Sequence, residues 1–272
     1  MKKSQIIISV LGIACIVVLF SLPRFIIDND EGNAVISEGE NRQDANVEEI
    51  HDAPLGLEER NSINTLTSDL EKAESKEKYA SLAEEVASLY TKSGKYDSAA
   101  FFLEKAAVKT ETVESWEKAG TAYYDAYSFA MNEQKVAFLA DKAKTYLNKV
   151  LEKDPKRLDL KTKVAMTYVS SSNPMQGITM LREILEEDPT NEDGLFNMGV
   201  LSMQSGQYKR AAERFEELVR YHPENLQGQF YLGVSYFESK QNNKAKKQFQ
   251  LVQNMNSDPM VLASVESYLE RL

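Results

Sequence analysis

Cysteine is almost missing from this 272-residue chain, and its one thiol, Cys15, sits inside an apolar run near the N-terminus. No intramolecular disulfide can form, so cysteine usage says nothing about redox compartment. Histidine is nearly as scarce. His51 and His222 are solitary, without a second His, Cys or acid cluster at ligand spacing, so no metal site is expected. Neither a glycine-rich phosphate loop nor a nucleophile elbow appears, and neither a cofactor nor an enzymatic activity is expected. An excess of basic residues is missing too. The net charge of −10 argues against nucleic acid, whose phosphates call for Lys and Arg gathered on one face. Acid pairs such as Glu84-Glu85, Glu186-Glu187 and Glu216-Glu217 read as solvated helix faces. Strand-like alternation of useful length is absent after residue 57.

What is present is unevenly distributed. Residues 1–27 carry +3, residues 28–60 carry −9, and the remainder carries −4. Ser4 to Pro23 holds no charged residue, and Ile6 to Phe20 is almost continuously Ile, Val, Leu and Phe. A run of that length, at about 1.5 Å rise per residue, roughly crosses a hydrocarbon core of about 30 Å. Lys2-Lys3 precede it and Asp28, Asp30 and Glu31 follow, a bias that puts the N-terminus in the cytoplasm and the rest across the membrane. A cleaved signal peptide would need small residues at a cleavage site, which Ser21-Leu22-Pro23-Arg24-Phe25 does not offer in the right place. A lipoprotein signal would need polar residues after Cys15. The expectation is one uncleaved transmembrane anchor over residues 1–27, in a bacterial cell envelope, with the folded part on the extracytoplasmic side.

Residues 28–56, rich in Asp, Glu, Asn, Gly and Ser, bury too little apolar surface to offset their ordering entropy and read as an acidic disordered linker. From residue 57 the apolar pattern turns helical, with Leu57, Ile63, Leu66, Leu70 and Ala73 at helical spacing.

Beyond that point the sequence repeats itself. Pro155, Pro189 and Pro223 are 34 residues apart. So are Ala143, Gly177, Ala211 and Ala245; Leu147, Leu181, Phe215 and Phe249; and Val150, Ile184, Leu218 and Val252. Met198-Gly199, Gly206-Gln207-Tyr208, Ala211, Phe215 and Pro223 complete one unit. This period and residue set resemble the tetratricopeptide-repeat (TPR) family, whose unit is two antiparallel helices that approach closely at small residues and end at Pro. The resemblance implies an all-α, right-handed solenoid of about five helix-turn-helix repeats with capping helices. The divisions expected within a 57–272 repeat domain are a cap at 57–77, repeats at 80–112, 113–157, 158–191, 192–225 and 226–259, and a cap at 260–272. In the first repeat Glu111 stands where Pro is expected. Gly120 and Ala165 are 45 residues apart, 11 more than the period, so both helices of the second repeat should be about a turn and a half longer.

The resemblance also implies a concave groove lined by the first helix of each repeat. Its positions give Ser81, Glu84, Ser88, Glu114, Glu117, Thr121 and Asp125 in the near half. In the far half they give Met166, Val169, Phe196, Asn197, Val200, Met203, Phe230, Val234 and Phe237, with Asp159, Asp193 and Gln227 at the rim. Glu84, Glu117 and Thr162 occupy the sites where chaperone-binding relatives place basic residues, which disfavours a carboxylate ligand. The expected partner is a protein or peptide offering an apolar or helical segment. The capping helix, the long second hairpin or a second protomer could instead cover the groove. The implied function is a non-enzymatic, membrane-tethered interaction scaffold. A self-associating structural homodimer and an accessory role in assembly of the cytochrome c maturation kind are the alternatives.

Overall fold

A computed structural model describes residues 55–255 and 258–272; the expected anchor and nearly all of the expected linker lie outside these residues, as do Cys15 and His51. Among the described residues there are twelve α-helices and no strand. They are α1 (Leu57–Glu71), α2 (Lys76–Lys92), α3 (Tyr96–Thr110), α4 (Val113–Phe129), α5 (Glu133–Leu151) and α6 (Leu158–Val169). They continue with α7 (Pro174–Glu187), α8 (Glu192–Gln204), α9 (Tyr208–Tyr221), α10 (Leu226–Glu238), α11 (Asn242–Met255) and α12 (Pro259–Glu270). None is long and apolar enough to cross a membrane.

Local chemistry sets the boundaries. Ser75, Thr112, Asn132, Asn191, Asn225 and Asp258 cap their helices by accepting backbone N–H bonds, which satisfies donors the first turn leaves free. Asn191 and Asn225, one period apart, do so for Gly194 and Gly228. Pro174 and Pro259 open α7 and α12, where a missing N–H costs nothing. Glu111, in the place expected for Pro, ends α3 by taking a left-handed conformation at φ 56°.

Five antiparallel hairpins result: α2–α3, α4–α5, α6–α7, α8–α9 and α10–α11, with α1 and α12 at the ends. Each helix packs on its sequence neighbours, so the core is a line of linked clusters, as in a helical-repeat solenoid. Helices α4 and α5 span 17 and 19 residues, against 12 and 14 for α6 and α7, so the second hairpin is extended in both arms. The 34-residue ladders are the packing positions. Ala143, Ala211 and Ala245 are fully buried, and so are Leu147, Leu181, Phe215 and Phe249. Small residues opposite let the helices meet. A Cβ on Gly199 would lie 2.6 Å from the Phe215 ring, and one on Gly233 would lie 2.7 Å from Phe249.

Candidate functional site: the face of the first helices

The first helices α2, α4, α6, α8 and α10 carry all the residues expected in the groove. Met166 and Val169 on α6, Phe196, Asn197, Val200 and Met203 on α8, and Phe230 on α10 are half-buried. They do not form one open stripe. Phe196 meets Phe215 and Tyr231 edge-on, with ring centres 6.0 and 5.8 Å apart, so it bridges α8, α9 and α10. The Asn197 amide donates to the Asp193 carbonyl of its own helix at 2.8 Å.

The last first-helix departs from expectation. Val234 and Phe237 are buried, at 6% and 8% exposure. Tyr268 of α12 covers Phe237: it stacks on Phe249 and meets Phe237 and Phe230 edge-on, at 5.0, 5.2 and 6.0 Å. The Arg271 guanidinium lies 4.8 Å from the Phe237 ring centre. The C-terminal helix thus covers this end, leaving beside Phe230 and Met260 a small apolar cleft of about 230 Å³. An apolar pattern cannot say which residue will seal it.

The near half is a charge ladder. Lys118 reaches Glu84 and Glu114, each at 2.7 Å. Arg157 forks onto Glu117 at 2.9 and 2.7 Å and also holds Asp159 at 2.8 Å. Lys163 lies 4.9 Å from the Tyr124 ring centre, between Asp125 and Asp193. Burial pushes both of those carboxyls upward, and Lys163 pulls them back without cancelling the effect. Burial also pushes the Tyr124 phenol up to about 12, reinforced by Tyr127, Asp193 and Asp125. Each cation is bracketed by two acids, so the surface stays acidic. Lys118, Arg157 and Lys163 escaped the sequence reading because they lie outside the positions the resemblance supplies. The Tyr127 hydroxyl donates to the Met166 carbonyl at 2.9 Å and lies 2.6 Å from the Ser170 hydroxyl, tying α4 to α6.

Residues 202–265 match the tetratricopeptide-repeat family. The match runs from α8 through α9, α10 and α11 into α12, and the ladder positions Ala211, Phe215, Ala245 and Phe249 fall inside it. No curated protein matches the chain. A tetratricopeptide-repeat protein from Parabacteroides merdae shares the fold at TM-score 0.57 and 15% identity, over 78% of this chain and 79% of its own. Lesser likenesses are to MamA, at TM-score 0.45 and 16% identity over 65% of this chain and 91% of MamA. YrrB, described as a TPR protein with an unusual peptide-binding site, matches at TM-score 0.43 and 18% identity over 74% of this chain and 97% of its own. The tetratricopeptide-repeat fold is a scaffold for protein–protein contact through an extended concave surface, and the family matched is a repeat, not a catalytic one. Among the described residues, no group of His, Cys, Asp and Glu could hold a metal ion.

Proposed function

We propose that the face formed by α4, α6 and α8 docks an apolar or helical segment of a partner protein, and that an N-terminal membrane anchor carries this scaffold on the extracytoplasmic side of the cell envelope. The docking reading rests on one observation: Met166, Val169, Val200 and Met203 stay half-exposed on consecutive first helices, flanked by an acidic ladder, while Val234 and Phe237 of α10 are buried. A segment with an apolar face and a few basic residues complements that surface, the apolar part giving affinity and the charges register. The anchor reading rests on the uncharged run from Ser4 to Pro23 and its flanking charges.

Site-specific photo-crosslinking in cells tests the docking. A crosslinker at Val200 or Met203 should yield a discrete adduct that one at the exposed Glu183 does not. Equal adducts from all three positions would refute the assignment. Protease added to spheroplasts tests the anchor: residues 57–272 should be digested while the membrane is intact, and protection there would reverse the topology.

A further inference from the structure

One polar arrangement occurs twice in the stack. Glu104 of α3 accepts from Tyr123 of α4 at 2.5 Å, from Lys142 of α5 at 2.6 Å and from Tyr146 of α5 at 2.8 Å. Glu216 of α9 accepts likewise from Tyr236 of α10 at 2.5 Å and from Lys244 of α11 at 3.2 Å. In each, an acid from the preceding second helix meets a phenol and a lysine of the next hairpin.

Moving Glu216, Tyr236 and Lys244 back by one 34-residue period lands on Arg182, Ser202 and Arg210. The acid has become a second cation and the aromatic ring has gone. These three residues line one cleft of about 470 Å³ between α7, α8 and α9, together with Arg214, Ser205 and Gln207. Its apolar wall is Ile178, Met198 and Leu201, and Glu213 and Glu217 line it as well, against three arginines. Glu217 is taken by Arg214 at 3.4 Å and Arg220 at 3.6 Å, and among the described residues Arg210 is held by the Gln207 amide oxygen alone, at 2.7 Å. Arg182 makes no ion pair with any described residue. Two guanidiniums thus face a cleft where the sister junction supplies a carboxylate and a ring.

We propose that this cleft binds an oxyanion, carboxylate or phosphoryl, carried on a flat apolar group that takes the place of the missing phenol. Guanidinium forks match the planar edge of a carboxylate or phosphate and form the stronger, charge-assisted hydrogen bonds. A bare phosphate ion would leave the wall of Ile178, Met198 and Leu201 wet. The site is separate from the docking face. At about 100° of rotation per residue, Met198, Ser202 and Ser205 lie on the opposite side of α8 from Phe196, Val200 and Met203. Failure of either proposal therefore leaves the other standing.

Isothermal titration of the full-length chain at low ionic strength with phenyl phosphate, benzoate and inorganic phosphate tests the site. Saturable binding of phenyl phosphate or benzoate is expected, the tighter of the two identifying the preferred oxyanion. The double variant R182E/S202Y rebuilds the sister arrangement, and it should melt no lower than wild type and bind neither aryl probe. R182Q and R210Q, changes at exposed side chains, should each weaken binding by about tenfold, the loss of one charge-assisted hydrogen bond, and they carry the test if the double variant does not fold. The proposal is overturned if neither aryl probe binds at millimolar concentration, if R182Q and R210Q bind like wild type, or if inorganic phosphate binds as tightly as phenyl phosphate.

Discussion

Gly199→Ala sets two effects of opposite sign against each other. Ala is the better helix former by about 1 kcal/mol at an interior position, so on propensity alone the change should stabilise α8. The added methyl would, however, sit 2.6 Å from Cζ and 2.7 Å from Cε1 of Phe215. That ring cannot move aside: it is fully buried, stacks on Tyr231 at 5.8 Å and is met by Phe196 at 6.0 Å. Overpacking of this kind costs about 1–3 kcal/mol, which leaves a net loss on the order of 1 kcal/mol and a drop in melting temperature of about 2–4 °C for a domain of this size. The cause can be isolated in a double-mutant cycle followed by thermal circular dichroism. Phe215→Leu removes the ring atoms that the methyl meets, so in that background Gly199→Ala should raise the melting temperature. The same sign in both backgrounds would mean that Gly199 is not there to admit the ring.

Three further outcomes are expected. Burial pushes the Glu104 carboxyl up, but Lys142, Tyr123 and Tyr146 outweigh it and hold the carboxyl below its usual range. Its stabilisation is therefore present above the unfolded value of about 4.3 and lost as pH falls through the lower folded value. Glu104→Gln should cost about 1–3 kcal/mol at pH 7, and the gap to wild type in urea melts should close in acid. Lys240 takes φ 63° one period after Gly206 at φ 72°, so Lys240→Gly should raise stability by about 0.5–1 kcal/mol, read from the denaturation midpoint. Phe230→Ala should lower the melting temperature rather than leave it unchanged, because Tyr268 and Phe249 both pack on that ring.

The ladders of small and large residues were legible because close helix packing imposes the same demand every 34 residues: Gly199 and Gly233 must be short for Phe215 and Phe249 to fit. The extra length of the second hairpin was legible as the 45-residue spacing from Gly120 to Ala165. Two things were not. The covering of Phe237 depends on Tyr268, outside any ladder and placed only once α12 folds back. The cations in the acidic half were also hidden, because long Lys and Arg side chains travel: Arg157, at the start of α6, spans to Glu117 on α4, 40 residues earlier. Periodicity reports which face a residue occupies but not where a flexible charged tip ends.

The Glu104 and Glu216 clusters each fasten three successive helices through side chains from different repeats. The junctions between them hold Asn148, Tyr168 and Gln176, or Arg182, Ser202 and Arg210, at the same positions and lack such a fastening. The apolar core is also divided there, with Leu181 and Ile184 in one cluster and Leu195 and Phe215 in another. The two fastened junctions lie toward either end of the stack, and between them the helices are held by apolar packing such as that of Met198 and Leu201 on Leu181 and Ile184. Met166, Val169, Phe196 and Val200 sit on the helices of that middle stretch, so under the docking proposal a bound segment would add a cross-helix tie where neither carboxylate cluster supplies one.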